Sequence, residues 1–351
     1  MGDPPATMSN RYRGAPPGPS AARPTPASKK RWAQHAPHYA ALDLGTNNCR
    51  LLIARPQGDG FAVVDAFSRI VRLGEGLAAT GQLSDAAIDR TIAALKVCAD
   101  KLKRRNVHVS RSVATEACRA ATNGPAFIDR AYAETGIRLD IISAEEEARL
   151  AVLGCHTLIE PGSGPALIFD IGGGSTELVL VDVDGAEPRV LDWHSAPWGV
   201  VSLTEHAGGG ATEAARRASY ARMRELSRES FAKFATRLPQ GIARPRLLGT
   251  SGTVTTLASV YLDLDHYDRG RVDGLIVPAS EMRRISSELS AMAVPDRAQF
   301  ACIGMERADL VVAGCAILES ILDLWPAERL GVADRGIREG ILRRLMGANR
   351  P

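Results

Sequence analysis

Hydrophobic residues along the chain fall into short apolar runs closed by glycine turns, alternating with longer stretches of helical spacing. The clearest run is Ile168-Phe169-Asp170-Ile171-Gly172-Gly173-Gly174-Ser175-Thr176-Glu177-Leu178-Val179-Leu180-Val181, two β segments joined by a glycine turn with acids and hydroxyls on either side. Tyr39 to Ala54 repeats this plan. Setting Asp43 over Asp170 aligns Gly45 with Gly172, Asn48 with Ser175 and Leu51 with Leu178. Two such hairpins predict an internal duplication, with two related α/β domains each presenting a phosphate loop to a common cleft.

The remaining pattern fills in those domains. Phe61 to Ile70 reads as a strand, and Ser84 caps a helix to Arg105 with Ile88, Ile92, Leu95, Ala99 and Leu102 on one face. Val107 to Thr115 is a strand opening into a helix that carries Arg119. Phe127 to Glu134 is a helix and Ile137 to Ile142 a strand, and Ser143 then caps a helix that begins with Glu145, Glu146 and Glu147. Beyond the central loop come a strand from Arg189 to Ser195, a helix from Gly199 and a long charged helix from Thr212 to Leu238. A strand–turn–helix runs from Leu247 to Ala258, followed by an apolar helix from Glu306 to Trp325, a strand from Leu330 to Val332 and a helix from Asp334 to Met346.

Composition changes the picture at one end only. Residues 1–37 hold eight of the twenty prolines and six Lys/Arg against Asp3 alone, so the net charge of +3 belongs to this segment and the remainder is slightly acidic. Such a composition reads as a disordered, solvated tail. No apolar run approaches the roughly 20 residues of a membrane span, and no signal-peptide core is evident, so a cytoplasmic protein without a membrane or specific nucleic-acid site is expected. The six cysteines show no C-x-x-C pair and the seven histidines no metal-ligand spacing, which excludes a disulfide framework or zinc site from the expectations.

The chemistry concentrates at the glycine turns. Gly172, Gly173 and Gly174 are expected to adopt positive φ and bare their amides to an anion, with Ser175 and Thr176 adding hydroxyls. Asp170 and Glu177 would hold the Mg²⁺ that accompanies phosphate, and Asp43 occupies the equivalent place in the first loop. A hairpin with two solvated acids is the plainer alternative. Arg119 either reaches a phosphate or lies on the surface. Glu147 and its neighbours either complement a helix dipole or supply a general base at the floor of a cleft. Gly252 and Thr253 open a helix whose N-terminus is a further anion site. The Arg335 to Gly340 stretch is expected only to pack near a domain junction.

Together, Asp43 to Asn47, Thr115 to Arg119, Ser143 to Leu150, Asp170 to Glu177, Gly249 to Thr253, Glu306 to Asp309 and Gly336 to Gly340 resemble the exopolyphosphatase and guanosine pentaphosphate phosphohydrolase family, over about residues 39 to 347. The resemblance implies an actin/Hsp70/sugar-kinase-like, ribonuclease H-like α/β fold with two duplicated domains, five-stranded mixed sheets and an interdomain cleft. The expected divisions are the tail at 1–37, domain I at 38–146, domain II at 147–334 and a junction helix at 335–351. The resemblance also implies Mg²⁺-dependent hydrolysis of a terminal phosphoanhydride. In that reading Glu147 aligns the attacking water, Asp170 and Glu177 lie near the metal, and Arg119 contacts phosphate. Gly45, Thr46, Asn47 and Asn48 form one phosphate loop and Gly172 to Thr176 the other. Asn48 stands where the family more often has a hydroxyl, which costs one donor type but keeps a donor. Longer members carry a further C-terminal helical domain that these 351 residues do not include, so long-chain processivity is not expected to transfer. Dimers are common among relatives, though nothing in the sequence demands one. The expected activity is release of orthophosphate from inorganic polyphosphate, with the 5′ γ-phosphate of guanosine pentaphosphate as a second substrate. The rivals are a dedicated pentaphosphate phosphohydrolase, a non-catalytic nucleotide or polyphosphate sensor, and a kinase of the same fold.

Overall fold

The computed structural model describes residues 36–185, 188–237 and 245–348. All but the last two residues of the expected tail therefore lie outside the described residues. A first sheet is built from β1 (His38–Leu44), β2 (Asn48–Gln57), β3 (Gly60–Ile70), β4 (Val107–Ala114) and β5 (Leu139–Ile141), in the order β3-β2-β1-β4-β5. Strands β1 to β3 form an antiparallel meander, and β4 and β5 add in parallel. Helices α1 (Asp85–Arg104), α2 (Glu116–Ala120) and α3 (Gly124–Thr135) connect them. The Ser84 hydroxyl accepts from the Ala87 amide to start α1, as the capping pattern predicts.

Helix α4 (Ala144–Cys155) follows, capped by Ser143. The second sheet then repeats the plan with β6 (Ala166–Ile171), β7 (Thr176–Asp182), β8 (Arg189–Ala196), β9 (Arg246–Thr250), β10 (Ile276–Pro278) and β11 (Arg329–Ala333). Its order is β10-β11-β9-β6-β7-β8. Read from β8, the meander β8-β7-β6 followed by parallel β9 and β11 is the first sheet's topology again. That repetition is the duplicated actin-like α/β arrangement. The sheet has six strands rather than five because β10, three residues ending in Pro278, pairs antiparallel along the outer edge of β11. Proline cannot donate to a further strand, so it suits that edge.

Around the second sheet lie α5 (Val200–Ala207), α6 (Glu213–Arg237), α7 (Gly252–Tyr261), α8 (Ala279–Ala291) and α9 (Val311–Leu324), and α10 (Ile337–Ala348) ends the described chain. Neither β10 nor α8 was evident from the hydrophobic pattern. Helix α9 begins five residues later than its apolar run suggests. Residues 306–310 instead form turns in which the Glu306 carbonyl accepts from the Arg72 guanidinium. Arg72 also grips both carboxylate oxygens of Asp309, at 2.9 and 3.1 Å, tying the loop after β3 to the second half of the chain.

Two helices join the halves. Leu150 and Ala151 of α4 pack with Tyr39, Ala41 and Leu52 of the first sheet, whereas Ala148, Val152 and Cys155 pack with Ala166, Ile168 and Leu248 of the second. The residue 146/147 division falls inside this helix. Helix α10 returns to the first sheet through Ile337, Ile341 and Leu342. Glycines set the approach of the two helices: a Cβ on Gly340 would stand 2.0 Å from the Leu150 carbonyl oxygen, and one on Gly154 would stand 2.0 Å from that of Gly336. Gly154→Ala should therefore lower stability by about 3 kcal/mol, since backbone cannot yield as a flexible side chain does. Gly347→Ala, with nothing near the added carbon, should change it little. Paired thermal and urea denaturation checks this, and equal stability of the two variants would contradict the packing.

Candidate active site

The two hairpin turns meet across a cleft between the sheets. Their carbonyls are tied down: Asn47 O accepts from the Val71 and Arg72 amides at 2.9 and 3.0 Å, and Gly172 O and Gly173 O accept from Val200 and Val201 at 2.9 and 2.8 Å. The amides of Thr46, Asn47, Gly173, Gly174 and Ser175 have no acceptor among the described residues, and all five residues line one narrow cavity of about 80 Å³. Unpaired amides converging on one space suit an anion.

The glycines serve this geometry differently from expectation. None of Gly45, Gly172, Gly173 and Gly174 has positive φ. What they provide is room: a Cβ on Gly173 would lie 2.9 Å from Thr46 Cβ, and one on Gly174 would lie 2.7 Å from Thr46 Oγ1 and 2.8 Å from Glu116 Cγ. The second loop needs glycine so that the first can touch it. The strained backbone is instead at Ser251, between β9 and α7, with φ 79° and ψ −173°, a region that strongly favours glycine.

Carboxylates surround the cavity. Asp43 is the penultimate residue of β1 and Asp170 that of β6, at matching positions of the duplicated sheets, and both line it together with Glu147 from the first turn of α4. Burial raises the Asp43 carboxyl above its usual range, with Arg50 and Arg338 opposing the shift. Burial, then the charge of Asp43, raises Asp170 to about 6, against a hydrogen bond from Ser251. Burial, then the charge of Glu177, holds Glu147 well above the usual carboxyl range despite the opposing Arg119. Glu177 is raised by burial and then by Asp170, even though it accepts from the Ser175 and Ser195 hydroxyls at 2.7 and 2.9 Å. Glu147 feels the charge of the other three, and Asp170 that of Asp43.

Several expected residues sit elsewhere. Arg119 does not line the cavity: it donates to Glu116 at 2.6 and 3.0 Å, to Glu147 at 3.2 and 3.3 Å, and to the Ile142 carbonyl at 2.7 Å. Its guanidinium orients Glu147 and Glu116. Thr176 turns away, donating to the Trp198 carbonyl at 2.6 Å, and Glu177 lies behind Ser175 and outside the cavity lining. Gly45 and Asn48 line the cavity, whereas Gly252 and Thr253 line a neighbouring one with Val200, Arg307 and Leu310. The two cavities share Asn47, Asn48, Arg50, Gly172, Gly173 and Ser251.

Residues the sequence reading passed over complete the site. Arg50, opposite Asp43 in the β1–β2 register, and Arg338 both line the cavity, and neither has a hydrogen-bond or ion-pair partner among the described residues. Glu116, Ser251 and the segment Asp334 to Ile337 line it too. The signal for the last segment was present. Gly336-Ile337-Arg338 follows a strand and opens a helix, as the Gly249 to Gly252 stretch does.

The donor set suits a hard divalent cation. Asp43 and Asp170 offer oxygen ligands whose mutual repulsion a cation would relieve, and Asn47 Oδ1 is buried with no partner. No group of three or more His, Cys, Asp or Glu side chains among the described residues forms a closed protein cage. Such a cation would thus share its shell with water and substrate phosphate, the manner in which Mg²⁺ is usually held.

The fold and this acid-rimmed anion site define a phosphoryl-transfer hydrolase with an actin-like duplicated fold. The chain belongs to the Ppx/GppA phosphatase family, which it matches over residues 52–349. It is 32% identical to Exopolyphosphatase 2 of Mycobacterium tuberculosis over 88% of this chain and 98% of that protein. It is 30% identical to the guanosine-5′-triphosphate,3′-diphosphate pyrophosphatase of Aeromonas salmonicida over 90% of this chain, spanning 60% of that longer protein. Among solved structures, an exopolyphosphatase-like protein superposes with a TM-score of 0.78 at 26% identity, covering 88% of this chain and 98% of the other. The Aquifex aeolicus family member superposes at 0.73 with 28% identity, covering 90% and 99%. Phosphatases of this family are phosphoryl-transfer enzymes that generally use a divalent metal. No helix among the described residues is long and apolar enough to cross a membrane.

The raised carboxyls make stability depend on pH. Unfolded, Asp170 ionises near 4, whereas folded it keeps its proton to about 6. Between these values the folded state binds more protons than the unfolded, so stability falls as pH rises. In chelator, Asp170→Asn should match wild type near pH 4 and gain on it by up to about 3 kcal/mol by pH 8. Added Mg²⁺ should then stabilise wild type and leave the variant unchanged. Urea titrations at the two pH values check both, and a pH-independent difference would contradict the assigned burial cost.

Proposed function

We propose that this chain is an Mg²⁺-dependent exopolyphosphatase that removes the terminal orthophosphate of inorganic polyphosphate. The observation that carries the reading is the convergence of five unpaired loop amides and two unpartnered arginines, Arg50 and Arg338, on one cavity whose floor presents Glu147. Amides and arginines would take the non-bridging oxygens of the terminal and penultimate phosphates, which is where catalysis of phosphoryl transfer is chiefly won. Asp43 and Asp170 would hold the Mg²⁺, which supplies further neutralisation of phosphate charge.

Glu147 would accept a proton from the water that attacks the terminal phosphorus. The new P–O bond forms as the bond to the bridging oxygen breaks, and the shortened chain leaves as an anion. A carboxyl raised towards neutrality is a better base for this task than an ordinary one, provided it is ionised at the working pH. Arg119 would keep the Glu147 carboxylate aimed and lower the cost of its charge.

The 5′ γ-phosphate of guanosine pentaphosphate is the second substrate. Its support is the neighbouring cavity, where Val200, Leu310 and Val311 offer apolar surface and Arg307 a cation beside the phosphate loops. A nucleoside attached to the phosphates could lie there. A bare polyphosphate would leave that surface unused.

Orthophosphate release should be Mg²⁺-dependent and fall by two to four orders of magnitude in Glu147→Gln, the usual contribution of a positioned base. Arg50→Ala should chiefly raise KM. Release measured from short polyphosphate, long polyphosphate and guanosine pentaphosphate side by side ranks the substrates. Full activity of Glu147→Gln would overturn the mechanism, and tight binding without turnover in wild type would favour a sensor.

A further inference from the structure

The same two helices that reach the acids at one end line a second, larger groove at the other. Helix α4 contributes Glu147 to the catalytic cavity from its first turn, and Arg149, Leu150, Leu153 and, just past its end, His156 to the groove. Helix α10 contributes Ile337 and Arg338 to the cavity, and Arg343, Arg344 and Met346 to the groove. The groove measures about 890 Å³, within the range of small-molecule sites, against about 80 Å³ for the catalytic cavity.

Its lining has two parts. Arg149, Arg189, Arg343 and Arg344 give it four guanidinium groups, against Asp59 as the one acid that lines it among the described residues. Arg149 and Arg189 pair with Glu145 and Asp182, which lie outside the groove and are partly exposed, and Arg344 reaches Glu146 only at 3.5 Å. Exposed pairs of this kind contribute little and are readily exchanged for an incoming anion. Arg343 has no ion-pair or hydrogen-bond partner among the described residues, and its Nε is buried without an acceptor. Beneath the arginines, Phe61, Leu150, Leu153, Val190 and Met346 form an apolar floor.

An apolar peptide would leave Arg343 without a partner and the other three guanidinium groups with only exposed pairs, and a bare polyanion would leave the floor uncovered. Residues 1–35, with six basic residues and one acid, carry the wrong charge. A ligand with a flat apolar ring and a phosphate tail answers both parts. We propose that this groove is a second nucleotide site, with the base against Phe61 and Met346 and the phosphates on the forks of Arg343 and Arg344, which suit bidentate phosphate contact.

Occupancy would be felt at the acids. Because Gly154 and Gly340 allow no gap between α4 and the chain around α10, a ligand that shifts the end of α10 moves Arg338 and Glu147 with it. A nucleotide in the groove is then an effector of phosphate release, and whatever factor it imposes on substrate affinity, substrate imposes on its affinity in turn. This coupling rests on the hydrolase reading above; the binding does not.

The test uses the full chain and the non-hydrolysable probes adenosine and guanosine 5′-(β,γ-imido)triphosphate, with tripolyphosphate as the bare-polyanion arm. Equilibrium dialysis should show a nucleotide site that survives Arg50→Gln/Arg338→Gln and weakens at least tenfold in Arg343→Gln/Arg344→Gln. In wild type, without any substitution, nucleotide should slow hydrogen exchange over residues 341–348. Undiminished binding to the groove variant, or binding and protection confined to the cleft, would overturn the proposal. Tripolyphosphate binding the groove as tightly as the nucleotides would overturn the ligand class. Groove binding intact in a protein that releases no phosphate would count against the hydrolase reading and leave this one standing.

Discussion

Burying Asp43, Asp170 and Glu177 within reach of the charge of Glu147 is the constraint on which this structure turns. Each carboxyl is raised from its ordinary range, burial being the first cause in every case. Such an arrangement costs stability in the free protein and is relieved by cations. Arg119 relieves Glu147, and the Ser175 and Ser195 hydroxyls relieve Glu177. Asp43 and Asp170 have only the longer-range help of Arg50 and Arg338 beyond the Ser251 hydroxyl. The part of the cluster left least compensated is the part facing the cavity, where a divalent cation and phosphate would enter together.

The fold exists to bring those acids to one place. Two copies of the same sheet each carry an aspartate one residue before the end of a central strand, and the glycines of the second loop let the first loop touch it. Helix α4, packed on both sheets, carries the fourth requirement, a carboxylate on the cavity floor whose position is fixed by Arg119. Because α4 belongs to both halves, Glu147 is tied to the relation between them. A change in that relation moves Glu147 and the loops at once, and this would give the proposed catalysis a physical link to the state of the cleft.

Much of this was legible in the sequence because it rests on local rules. The hairpins around Gly45 and Gly172 follow from alternating apolar runs and a turn, and the Ser84 and Ser143 caps from hydroxyls ahead of apolar periodicity. The duplication was visible because both hairpins keep the same spacing. What the sequence concealed were long-range relations. Arg119 sits where an arginine could meet a phosphate, but Glu116 and Glu147 claim it from two different helices. Thr176 reads as a loop hydroxyl, yet the Trp198 carbonyl from a distant turn takes it. Arg50 and Arg338 read as ordinary strand and helix arginines, since nothing local says that a cavity opens beside them. The loop glycines serve a different purpose from the positive φ expected of them: their spacing is local, but the loop they accommodate is far away in sequence.

In the proposed reaction, water held at Glu147 displaces the terminal phosphate within this cavity. A single turnover of short-chain polyphosphate in ¹⁸O-labelled water, followed by mass analysis of the products, tests it most directly. One solvent oxygen in each released orthophosphate and none in the shortened chain is the predicted result. Label in the chain, or phosphate appearing on an added acceptor without label, would contradict it.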